Sequence, residues 1–166
     1  TVYDFSVGPW RWIEYFWPNI AGRMFPENCR WMSSLPAEGR VWTPTLYAGV
    51  APMVMALLAL LDVRRSRRIR GLAVAALLGL CAACGHYGAG WLIHEVGYWI
   101  KGESPLRWVG AHVGGVYWFL TQVLPGYEWF RYPAKWSTSV ALAFALLTAL
   151  GWDRAMSFPK LMESNN

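Results

Sequence analysis

Five arginines, Arg64, Arg65, Arg67, Arg68 and Arg70, fall between two apolar runs that are free of Lys, Arg, Asp and Glu. No other feature restricts the chain as strongly. The run before them, Thr45 to Leu61 (TLYAGVAPMVMALLALL), rises about 25 Å as a helix, enough for a thin bilayer core once its flanks are included. The run after them, 71–93, is longer and rich in small residues. Short loops dense in Lys and Arg stay on the cytoplasmic side of a membrane. The pattern predicts span one over 45–61, a cytoplasmic turn over 62–70 and span two over 71–93.

Composition points the same way. Of the 166 residues 55% are apolar and twelve are tryptophan, which gathers with tyrosine at the water–lipid boundary. The formal net charge is +5, and the five arginines set against Asp62 account for +4 of it. A nucleic-acid binder spreads its basic residues over a soluble fold. Here they are confined to one turn, so membrane lipids are the expected partner and nucleic acid is not. The first residue is Thr, with no basic-then-apolar leader after it, so the chain reads as an excised piece of a longer protein.

Segment 1–44 is aromatic, is broken by Pro9, Pro18, Pro26 and Pro36, and sets four arginines against four acids. That suits an outer loop lying along the membrane surface, with a short interfacial helix opened by Ser6 and Pro9 and showing Ile13, Phe16 and Trp17 on one face. Pro52 in span one is tolerated where neighbouring helices satisfy the freed carbonyl. In span two, Gly71, Ala75 and Gly79 recur every four positions and predict close approach of another helix. Gly85, His86, Tyr87, Gly88 and Gly90 loosen its far end, as a frayed helix or as a stretch lining a cavity. Cys81 and Cys84 read as small packing residues, because no His pair completes a zinc set, and Cys29 has no evident mate.

The region 94–136 is an outer loop. Within it Val109, Val113, Val116, Leu120 and Val123 paint one apolar stripe on a helix over 106–124, interfacial or re-entrant, with a fourth span as the alternative. Span three covers 137–152 and is stopped by Asp153 and Arg154, leaving 153–166 as a cytoplasmic tail. Trp42, Tyr47, Trp91 and Trp136 would mark the outer boundary and Trp152 the inner one. The expected fold class is an all-α membrane protein with three transmembrane helices plus interfacial or re-entrant helices in the outer loops, multi-pass in the cytoplasmic membrane.

The most distinctive string is FRYPAKW, Phe130 to Trp136, just before span three. Arg131 and Lys135 are four apart and would share a face on one helical turn, while Pro133 disfavours helix at Tyr132. Cations at a helix start oppose its dipole, so they face an anion or water. A phosphate gripped by Arg131, Lys135 and Tyr132 is the functional reading, and snorkelling to the interface is the plain one. His94 with Glu95, eight residues after His86, offers proton transfer at the end of span two, against an ordinary solvated pair. Glu128, the acid nearest FRYPAKW, would pair with Arg131 or act on a substrate. No metal site and no cofactor are expected, and no phosphate loop, nucleophile elbow or HExxH is present.

Three stretches taken in order, FWPNIAGR (Phe16–Arg23), LYAGVAPMVMALLAL (Leu46–Leu60) and LPGYEWFRYPAKW (Leu124–Trp136), resemble the bacterial membrane protein YfhO family. That family belongs with the large polytopic glycosyltransferases of the GT-C type. The resemblance implies a larger GT-C-like bundle whose remaining helices are partners of this piece. It also implies a polyprenyl-phosphate-linked sugar as donor, with transfer to a cell-envelope acceptor at the outer face. The family's catalytic acid would lie upstream of Thr1, and its Arg-x-Pro-x-basic pattern falls on Arg131, Pro133 and Lys135. The competing expectation is a non-catalytic integral membrane protein, a transport component or a scaffold.

Overall fold

The computed structural model describes residues 2–20, 22, 27, 45–102 and 108–163, the last six of these as backbone only. Trp42, Cys29, Arg23 and the start of the expected 106–124 helix lie outside the described residues. What is described is helical: a 3-10 helix Pro9–Tyr15, then α1 (Val50–Leu60), α2 (Arg67–Ala83), α3 (Ala89–Lys101), α4 (Val116–Val123) and α5 (Trp136–Glu163). Two further 3-10 turns, Tyr127–Trp129 and Pro133–Lys135, lead into α5.

α5 is the organising element, and α1 and α2 both pack along it while barely touching each other. Small residues make the approach possible. Ala56 and Ala59 of α1 are buried with Ile69 of α2 and Leu147 of α5. One turn further along α5, Gly151 lies so close to the Met55 carbonyl that a Cβ there would collide with it. Pro52 produces no mid-helix kink, because it sits in the first turn of α1, where its missing N–H removes no helical bond. At the other end of the pair, Asp62 just after α1 forms an ion pair with Arg154 of α5.

Several sequence expectations change here. Span two is not one helix: α2 ends at Ala83, Gly85 takes a φ of +42°, and α3 starts afresh at Ala89. Glycine tolerates that left-handed backbone, and the turn it permits separates the two helices. The stripe Gly71–Ala75–Gly79 is not a helix contact along its length. Gly79 does face α5, where a Cβ would come 2.8 Å from the Val140 methyl, but Gly71 has open space beside it and Ala75 is exposed. Steps of four residues drift by roughly 40° each on a 3.6-residue turn, so positions eight residues from Gly79 rotate off the contact line. The helix expected over 106–124 is realised only as α4; Val109 and Val113 belong to turns, and Gly110, Gly114 (φ +76°) and Gly115 interrupt their stripe. Asp153 and Arg154 do not stop α5, which continues to Glu163.

Among the described residues one helix, Pro133–Ser157, is long and apolar enough to cross a membrane. Only 28% of its most apolar window is buried, the burial of a surface helix rather than of a core one. α1, with 11 residues, and α2, with 17, fall short of the roughly 20 that a full crossing needs. All three helices leave large apolar side chains uncovered, among them Val54, Leu57, Leu77, Leu78, Leu142 and Leu146. Contiguous exposed apolar surface of this kind marks a face made for lipid or for partner helices.

Candidate functional site

Aromatic residues gather at the end of the bundle away from the arginine turn, and the N-terminal segment is what ties them together. The Val7 N–H donates to the Ala83 carbonyl at 2.9 Å, docking the segment on the end of α2. Ser6 acts in both directions: its hydroxyl donates to the Tyr3 carbonyl at 2.7 Å and accepts from the His86 N–H at 2.8 Å. Tyr3 then stacks on His112 with ring centroids 4.4 Å apart, and Phe5 meets Tyr132 edge-on at 4.8 Å.

The 3-10 helix Pro9–Tyr15 buries the least expected residues. Arg11 and Glu14 are each only 3% exposed, and the guanidinium donates to both carboxylate oxygens, Nε to Oε1 at 3.0 Å and Nη2 to Oε2 at 2.8 Å. Ile13, Phe16 and Trp17, the expected apolar face, are exposed instead. The i, i+3 spacing behind Pro9 was the available signal for this pair, whereas the sequence alone places both residues only in a charge-balanced loop along the membrane surface. Burial pushes the neighbouring Tyr15 hydroxyl up to about 12, and the Arg11 charge partly offsets it.

Tyr117, fully buried on α4, donates its hydroxyl to the Phe130 carbonyl and so holds the start of the FRYPAKW string. Burial raises its ionisation well above the usual tyrosine range, with Tyr127 and Tyr3 adding to the effect. The Trp136 indole N–H donates to the Tyr127 hydroxyl at 2.8 Å, fixing the start of α5 to the turn before it. Between these anchors Tyr132 adopts a φ of +74°, uncommon for a residue with a side chain, and Pro133 and Ala134 are buried against the end of α2. The sharp reversal at Tyr132 means that Arg131 and Lys135 do not extend one helical face.

The two cations have different surroundings. Arg131 is exposed and lines a cavity of about 350 Å³ with Val2, Glu128 and Trp129. Among the described residues neither Arg131 nor Glu128 forms an ion pair. Lys135 does not line that cavity. Its ammonium lies 5.2 Å from the centre of the Phe130 ring and 5.3 Å from that of Tyr132, a cation–π arrangement that occupies it locally.

The histidines separate as well. His94 on α3 bonds the Val109 carbonyl through Nε2 at 2.7 Å, which pins the 108–115 turns to that helix, while Glu95 beside it is exposed. The same turns cap the start of α3, where the Gly88 and Trp91 N–H groups donate to the Ala111 carbonyl and Gly90 to that of Val113. His86, in the turn after α2, lies near His112 rather than His94; partial burial and then that second imidazole lower its pKa. Tyr87 meets Trp10 and Trp91 edge to face, the two indoles are tilted against each other, and the indole N–H groups of Trp10 and Trp91 are buried with no acceptor among the described residues. No three His, Cys, Asp or Glu side chains converge into a metal-binding set among the described residues.

This arrangement offers an exposed guanidinium beside a carboxylate and an indole, held at the mouth of an apolar helix by a stiff aromatic scaffold. It suits recognition of an anionic group more than proton transfer. No family model, no curated protein and no solved structure matches the chain.

Proposed function

We propose that the chain is part of a multi-pass protein of the cytoplasmic membrane related to the GT-C glycosyltransferases of the YfhO type. α5 would cross the bilayer, α1 and α2 would do so together with their flanking residues, the arginine turn would face the cytoplasm and the aromatic end would face outward. Arg131 contacts the phosphate of a polyprenyl-phosphate sugar while the sugar passes to a cell-envelope acceptor. The placement of Arg131 carries the reading: an exposed guanidinium without an ion-pair partner among the described residues, in a cavity of about 350 Å³ one turn before the longest apolar helix. Arg grips phosphate bidentately, and a fixed cation stabilises the charge that grows on a departing phosphate. Glu128 and Trp129 in the same cavity supply an acceptor and a flat face for the sugar. The acid that activates the acceptor belongs to the rest of the protein.

Replacing Arg131 with Ala in the full-length gene, in a strain lacking the wild-type copy, is expected to abolish the envelope glycan that the gene supports. Unchanged glycosylation would remove the phosphate contact. One observation favours the non-catalytic alternative of a transport component or scaffold. Lys135, the second cation of the motif, faces Phe130 and Tyr132 and does not line the cavity, which leaves Arg131 as the one cation there to hold a phosphate.

A further inference from the structure

α1 and α2 lean on α5 but stand apart from each other, and the gap between them is an apolar trough of about 310 Å³. One wall runs from Met53 to Leu60 and the other from Ala73 to Leu80, each about 10 Å along its helix, with Phe144 of α5 on the floor. Every lining side chain is apolar or aromatic. Trp12, Tyr15 and Phe16 close the trough at the aromatic end. At the other end the same two helices are joined by the arginine turn, which is tightly wound: the Leu60 carbonyl accepts from Val63, and the Asp62 carbonyl accepts from Arg65 and Ser66.

The turn has a large excess of positive charge. Arg64, Arg65, Arg67, Arg68 and Arg70 are all exposed, and among the described residues none forms an ion pair. Its one acid, Asp62, is taken by Arg154, and the first turn of α2 contains no acid. Cations at a helix start oppose its dipole, so nothing within the described fold compensates them. The lining of the trough ends at Leu60 and Ala73, and the patch of unbalanced positive charge begins within about one helical turn of each.

We infer that an anionic phospholipid occupies this surface, one acyl chain lying in the trough between α1 and α2 and its phosphate resting against the arginine turn. The inference rests on α1, α2 and α5 lying in a bilayer but not on sugar transfer, since the arginine turn lies at the end of the bundle opposite Arg131. Charge complementarity selects an anionic lipid over a zwitterionic one, at about fivefold in affinity for each arginine near the surface.

The test uses the full chain purified in a mild nonionic detergent, with thermal unfolding followed after addition of phosphatidylglycerol, phosphatidylcholine or inorganic phosphate. Phosphatidylglycerol is expected to raise the midpoint by several degrees more than phosphatidylcholine, and phosphate alone to leave it unchanged. The combined variant R64Q/R65Q/R67Q/R68Q loses that preference, the matching Lys variant keeps it, and Ala76→Trp, which fills the trough, removes the response to both lipids. Equal shifts with the two lipids, a full shift with phosphate alone, or an unaltered response in Ala76→Trp would each overturn the inference. If the Gln variant fails to fold, native mass spectrometry of the wild-type chain in an equimolar lipid mixture decides the matter: preferential retention of phosphatidylglycerol supports the site, and equal retention overturns it. A failure here leaves the Arg131 reading standing, because that reading is scored on glycans.

Discussion

Thr148 of α5 donates its hydroxyl to the carbonyl of Pro52 at 3.1 Å, joining α5 to the first turn of α1 across 96 positions of sequence. The same hydroxyl lies 2.9 Å from its own Phe144 carbonyl, so the proton is shared between an intrahelical and an interhelical acceptor. Together with Gly151 against Met55 and Arg154 against Asp62, it marks a seam of three successive close contacts along the two helices.

That seam orders two substitutions by size. Thr148→Val removes one interhelical bond and is expected to cost about 0.5–1.5 kcal/mol, the net worth of a typical intramolecular hydrogen bond. Gly151→Leu forces the helices apart and should cost more, about 1–3 kcal/mol or above, because overpacking a close crossing displaces backbone. Denaturant unfolding in detergent micelles measures both. A Gly151→Leu protein as stable as the parent would show that α1 and α5 do not cross there.

Arg11 and Glu14 make a second, sharper case. Both are buried, so truncating either one takes a two-bond ionic contact from the other inside the fold, at about 3–5 kcal/mol. Arg11→Met combined with Glu14→Leu should recover much of that loss, since an apolar pair of similar volume carries no desolvation penalty. Thermal midpoints of the two single variants and the double variant form the cycle. Single variants within about 0.5 kcal/mol of wild type, the usual range for surface positions, would place the pair in solvent.

The aromatic end also sets an alkaline limit. Tyr15, Tyr117 and Tyr127 are all held neutral, chiefly by burial. A tyrosine ionises near pH 10 when the chain unfolds. A folded-state value raised above that contributes stability that is complete below pH 10 and is lost as pH climbs from 10 through the folded value, about 12 for Tyr15. Absorbance at 295 nm should show three late-titrating tyrosines whose ionisation coincides with loss of the tertiary signal, and Tyr117→Phe should delete one of them. Three early steps with the fold intact would mean that the cluster is open to water.

Much of the helical character was legible from order alone. Uncharged runs around the arginine turn located α1 and α2, and the absence of Asp, Glu, Lys and Arg from 137–152 located the core of α5, because long apolar runs have one stable way to satisfy their backbone in helices. Pro133 correctly foretold a turn at Tyr132. The boundaries were harder. The break at Gly85 splits span two because a single positive φ redirects the chain, and hydropathy is blind to φ.

The candidate site divides along the same line. Arg131 stands out by residue type and by its place before an apolar helix, whereas its separation from Lys135 depends on the reversal at Tyr132, which sets the exposed ammonium beside the rings of Phe130 and Tyr132. The spacing of Arg11 and Glu14 hinted at their pairing but not at their burial, and the nearness of His86 to His112 and the anchoring of His94 on Val109 were invisible in order, since each depends on separate segments meeting at one end of a bundle. Local chemistry along the chain determined which stretches are helical and where the charge lies. Only tertiary packing decided which charges are paired, which lie beside aromatic rings and which are left facing outward, because pairing is a property of distance in space and the sequence encodes distance only along the chain.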